Sequence, residues 1–110
     1  MIKKTMVEIK LLEEDGDFVG SYGCFEKQDL YQLVATARKE DMACLSYIDL
    51  VRSTYFNMRQ CSDIKKELLV LKKYEEIDRM LLNSIEKAVK IAIKNEVYVK
   101  FEIVDKQKSI

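Results

Sequence analysis

The chain reads as a small α+β domain: a mainly antiparallel sheet, made of an N-terminal hairpin plus a C-terminal strand, covered by three helices. Three observations predict it. Apolar residues alternate with period two near each end, an Asp-Gly turn follows the first alternating segment, and apolar stripes at helical spacing fill the middle of the chain.

Residues Thr5 to Leu12 place Val7, Ile9 and Leu11 on one side and Glu8 and Lys10 on the other, which is the pattern of a half-buried strand. Glu14-Asp15-Gly16-Asp17 then reads as a tight turn, because Asp-Gly readily takes the positive φ angles a hairpin needs. Phe18 to Phe25 is the returning strand, with Gly20 and Gly23 marking a bulge or a ragged edge. From Lys27 to Arg38, Leu30, Leu33, Val34 and Ala37 line one face of an amphipathic helix. Ala43 to Ile48 is too short to assign by period and reads as a short strand leading into an irregular segment.

A clear helix start follows. Asn57 and Gln60 stand at the N-cap and N3 positions of a capping box, and Phe56 and Cys61 have the spacing of a hydrophobic staple around it. Met58, Cys61, Ile64, Leu68 and Leu71 then form a stripe, continued in nearly the same phase by Tyr74, Ile77, Leu81, Ile85, Ala88 and Ala92. One helix from Met58 to Lys94 would be about 55 Å long at about 1.5 Å per residue, against a radius of gyration of about 13 Å for a compact domain of this size. A break around Lys72-Lys73-Tyr74 is therefore predicted, with one continuous helix as the alternative. Acids precede bases in each half, as two separate helix dipoles prefer. Val97, Val99, Phe101 and Ile103, alternating with Tyr98, Lys100 and Glu102, give the clearest strand in the chain.

At 110 residues and 48% apolar content, the chain is expected to form a single domain, 1-110, around one core without metal or disulfide support. Lysine plus arginine equals aspartate plus glutamate, 19 of each, so no net field draws the chain to nucleic acid or to an anionic membrane, and neither partner is expected. Glu8 and Lys10 interrupt the start too early for a signal peptide, and no apolar run has membrane-spanning length, so a cytoplasmic protein is expected. The three cysteines, Cys24, Cys44 and Cys61, are odd in number and widely spaced, which points to buried free thiols rather than a disulfide framework or metal site. There is no histidine, so Ser-His-Asp and Cys-His catalysis and histidine-ligated zinc cannot be built from this chain alone. No cofactor or metal is expected.

Candidate chemistry is correspondingly thin. Asp15 and Asp17 lack the further oxygen ligands and the twelfth-position glutamate of a calcium loop. Gly20-Ser21-Tyr22-Gly23 lacks the Gly-Lys-Ser or Gly-Lys-Thr of a phosphate loop. Glu75, Glu76 and Asp78 read as the acidic first turn of the last helix, with Glu75 and Arg79 spaced as an ion pair. The remaining cluster lies between Leu45 and Gln60. Asp49 and Arg52 have the chemistry to pair with each other and with loop backbone, while Tyr47, Arg52 and Tyr55 are residue types enriched at binding hot spots. Tyr47, Asp49, Arg52 and Tyr55 are accordingly the candidate partner-binding residues, and Phe56, Asn57, Gln60 and Cys61 the structural helix start.

Leu45-x-x-Ile48-Asp49, Thr54-x-Phe56-Asn57-x-x-Gln60, Glu67-Leu68 and Glu96-Val97-Tyr98-Val99-Lys100-Phe101 together resemble a group of small bacterial cytosolic proteins similar to the single-domain immunity proteins made beside secreted toxins. The resemblance covers about the C-terminal two-thirds, and it departs where Leu50-Val51-Arg52 replaces an Asp-Pro-Tyr-type turn after Asp49. It implies a non-catalytic protein-binding module whose partner is a toxin. The alternatives are a structural or regulatory homo-oligomer, such as a homodimer packed through the 58-92 stripe, and a small enzyme using carboxylates such as Asp49 or Glu67.

Overall fold

The computed structural model describes residues 2–108, with side chains described over 5–105. Its elements are β1 (Ile2–Leu12), β2 (Phe18–Glu26), α1 (Lys27–Lys39), a single 3-10 turn (Leu45–Tyr47), β3 (Thr54–Phe56), α2 (Met58–Leu71), α3 (Arg79–Asn95) and β4 (Tyr98–Lys108). The four strands form one antiparallel sheet in the order β2-β1-β4-β3, so the two chain ends supply the central strands.

The period-two reading of both ends holds. Val7, Ile9 and Leu11 of β1, and Val99 and Phe101 of β4, are fully buried under α1 and α3, with Ile9 directly opposite Phe101. Glu8, Lys10, Lys100 and Glu102 occupy the other, solvated face, where Lys10 and Lys100 both pair with Glu102, at 2.5 and 2.7 Å. The β1–β4 pairing runs from Ile2 to Lys108, past the point where either alternation stops.

The hairpin turns as its sequence predicts: Gly16 has φ +92, and its amide donates to the Glu13 carbonyl. One bulge lies at Gly23. The pairing steps from Glu8↔Cys24 to Lys10↔Ser21, so Tyr22 and Gly23 together face Ile9. Gly23 takes φ +132, and a Cβ there would meet the Phe25 ring at 2.7 Å, so only glycine fits without displacement. The extra residue also moves Cys24 to the solvated face. That corrects the expectation of three buried thiols: Cys44 and Cys61 are buried, Cys24 is exposed.

The predicted break between α2 and α3 is present, from Lys72 to Asp78. Ile77 is buried beneath the connection, and the Asp78 side chain caps α3 by accepting from the Leu81 amide at 2.9 Å. Arg79 donates to the carbonyls of Lys72 and Tyr74, at 2.7 Å each, tying the start of α3 to the connection that follows α2. Glu75 and Glu76 therefore precede α3 rather than forming its first turn, and Arg79 bonds backbone instead of pairing with Glu75.

From Cys61 to Ala92, the predicted stripe is buried in the chain's own core at every position except the half-buried Tyr74. Met58, which opens the stripe, is 39% exposed. Among the described residues, no helix is long and apolar enough to cross a membrane.

Candidate functional site

The segment joining α1 to β3 is not a short strand followed by an irregular stretch. It is a turn-rich loop fastened at several points. At its entry Asp41 adopts a left-handed φ of +54 while the Met42 amide reaches back to the Ala37 carbonyl, 3.0 Å away. Leu45 and Ile48 then point inward and are fully buried, which leaves Tyr47 between them pointing out.

Glu67 holds the first turn of this loop. Its carboxylate is buried on α2, and its two oxygens accept the backbone amides of Cys44 and Leu45 at 3.0 and 2.9 Å. Those amides open a 3-10 turn and have no partner within it, so the charged acceptor is what makes their burial tolerable. Burial, with Glu67 beside it, pushes the Cys44 thiol up to about 11, and burial followed by Cys44 pushes Cys61 up to about 12. Neither thiol forms the thiolate a nucleophile needs at neutral pH. With both oxygens engaged by backbone amides, Glu67 caps this turn.

Asp49 holds the second turn. Its carboxylate accepts the amides of Val51 (2.8 Å) and Arg52 (3.1 Å), while its own amide donates to the Thr54 hydroxyl. Those backbone bonds, with the charges of Arg52 and Arg38, hold the Asp49 carboxyl below the usual range. The sign follows: this turn gains stability above the ordinary aspartate pKa and loses it as pH falls through the lower folded value. The expected pairing of Asp49 with Arg52 and with loop backbone is made through the Arg52 amide. Arg38, at the end of α1, adds a further tie by donating from Nε to the Ser46 carbonyl at 3.1 Å.

The result is an open cleft of ≈ 670 Å³ lined by Arg38, Asp41, Tyr47, Asp49 and Val51, with Ser46, Ile48 and Leu50. Tyr47 is 76% exposed and Val51 75%. The four partner-binding candidates are thus divided. Tyr47 and Asp49 share the cleft, whereas Tyr55 sits opposite Lys100 on β3, its ring 5.3 Å from the Lys100 ammonium, and lines a separate hollow with Leu12, Glu13, Glu14, Gly16 and Tyr98. Arg52 is exposed and joins the site through its amide. Arg38, Asp41 and Val51 were missed by sequence reasoning. Nothing in the spacing of α1 shows that its end returns to the loop, and Val51 reads as core until its neighbours are known.

The helix start is as the sequence predicts. Asn57 and Gln60 exchange side chain-to-amide hydrogen bonds, 2.9 Å each way, with Phe56 and Cys61 buried on either side. Asn57→Ala is expected to lower stability by about 1 kcal/mol, measured by denaturant unfolding, without changing the loop's chemical shifts. At the hairpin, the carboxylates of Glu13, Asp15 and Asp17 lie within 4.8 Å of one another, but all three are exposed, and Asp15 accepts the Asp17 amide. These are the contacts of a solvated turn. Comparison with protein-family models, with curated proteins and with solved structures finds no match to this chain.

Proposed function

We propose that this chain is a non-catalytic protein-binding module of the immunity type, a stoichiometric inhibitor that grips a toxin through the 44–53 loop. One observation carries the reading: Tyr47 and Val51 are three-quarters exposed on a loop whose backbone is fastened by Glu67, Asp49 and Arg38. Large side chains held outward on pre-ordered backbone lose little entropy when a partner covers them, and that is the condition under which tyrosine becomes a hot spot. Arg38 and Asp41 at the cleft add charges of both signs that select the partner's orientation. The balanced charge of the chain supports a protein partner over nucleic acid or lipid, and the buried, protonated thiols of Cys44 and Cys61 support binding over catalysis. In this reading the protein acts in the cytoplasm without a cofactor.

The test is direct mixing of the purified chain with the product of the adjacent gene, followed by calorimetry. One-to-one association at micromolar or tighter affinity is the expected result. No association at that concentration overturns the immunity reading.

A further inference from the structure

We propose that the groove between α2 and α3 is a second docking surface, and that it takes an acidic amphipathic segment of a partner protein. The segment's apolar side chains would lie over Leu69 and Ile93, and its carboxylates against Lys65, Lys66, Lys72 and Lys90. This surface is on the side of α2 turned away from the loop, since Glu67 of the same helix points to Cys44, and the inference does not rest on the loop's function.

The groove has a volume of ≈ 350 Å³ and is lined by Lys65, Lys66 and Leu69 of α2 together with Glu86 and Ile93 of α3. Positions 62, 65, 66, 69 and 72 share one face of α2 at helical spacing, and at its centre stands Leu69, 63% exposed. Glu86 is the acidic group lining this groove, and it is shared. Lys72 donates to it, and Lys72, Lys90 and Lys65 together hold its carboxyl below the usual range. Three ammonium groups around one carboxylate, with Lys66 beside them, leave a surplus of positive charge on the rim of an apolar floor. The complement of that surface is apolar in the middle and acidic at the edges.

Two other classes of partner fit less well. A membrane needs several inserted side chains or an added lipid for stable attachment, and here Leu69 alone stands out from the groove. A single-stranded nucleic acid needs stacking platforms, and no aromatic residue lines this groove, while Glu86 would face its phosphates.

The experiment titrates the isotope-labelled chain with a synthetic helical peptide of about four turns, carrying leucine along one face and glutamate on both flanks. A matched peptide with lysine in place of glutamate, phosphatidylglycerol vesicles and a single-stranded DNA oligomer form the other arms. Amide shifts confined to 62–73 and 86–94 are expected with the acidic peptide, its Kd rising about tenfold or more in Leu69→Gln and in the double variant Lys65→Glu, Lys66→Glu. All three substitutions are at exposed positions, and circular dichroism checks that the fold is kept. Absence of shifts up to millimolar acidic peptide, equal binding of the lysine peptide, or binding of vesicles or DNA in place of the acidic peptide overturns the proposal.

Discussion

Glu67→Ala is expected to lower the unfolding free energy by about 3 kcal/mol, because it strands two buried amide donors at about 1–3 kcal/mol each. Cys44 and Leu45 donate to the two oxygens of this one carboxylate, and Leu45 is fully buried, so its amide cannot turn to water without moving the loop. For a domain of about this size the corresponding fall in Tm is roughly 12–20 °C. Glu67→Gln, which keeps one strong acceptor and loses the charge, should recover about half of that. Hydrogen exchange at the Cys44 and Leu45 amides separates this account from a general loss of packing. If Glu67 is the cap, those two amides lose protection in Glu67→Ala by more than the change in global stability explains. Equal stability of Glu67→Ala and the parent chain would show that the carboxylate is not holding the turn.

Phe101→Ala is expected to cost about 4 kcal/mol, near the middle of the range for deleting a buried phenyl ring. Phe101 is fully buried in the first half of β4, paired with Ile9 on one side and Thr54 on the other, and meets the Phe56 ring edge-on, the two planes 87° apart at a 5.8 Å centroid distance. The cavity would therefore open beneath β3 and the start of α2 together. Phe101→Leu, which keeps most of the volume, should cost under about 1.5 kcal/mol. Urea unfolding distinguishes the two: the midpoint should fall in both, far more in the alanine variant, with the slope unchanged.

The parts of the fold that were legible in the sequence are those whose physics is local. Val7, Ile9 and Leu11 reveal a sheet face because side chains alternate every second residue, and Asn57 and Gln60 reveal a helix start because the two hydrogen bonds of a capping box span only three positions. The parts that were not legible depend on contacts distant in the chain. Thr54–Phe56 is too short to display a period, and it is a strand because β4 offers it an edge. The 3-10 turn at Leu45–Tyr47 exists because Glu67, more than twenty residues later, supplies its missing acceptors. Glu67 stood out in the sequence only as a carboxylate available for chemistry, and its place beside the buried positions Ile64, Leu68 and Leu71 does not reveal which backbone it reaches.

The candidate site divides in the same way. Asp49 was legible as a loop-organising residue because an aspartate bonding amides two and three positions on is a local motif. Tyr55 was grouped with Tyr47 because they are near in sequence, but β3 carries Tyr55 to the solvated sheet face beside Lys100. The cleft takes its other wall from Arg38 and Asp41, at the end of a helix whose sequence shows only its buried stripe.

The loop's role in binding is decided by the affinity of the adjacent-gene product for the parent chain and for Tyr47→Ala, measured beside the thermal stability of each. Tyr47 is three-quarters exposed, so Tm should move by less than about 3 °C, while Kd rises about 30-fold, or roughly 2 kcal/mol. Tight binding that is unchanged in Tyr47→Ala would contradict the assignment of the 44–53 loop as the gripping surface.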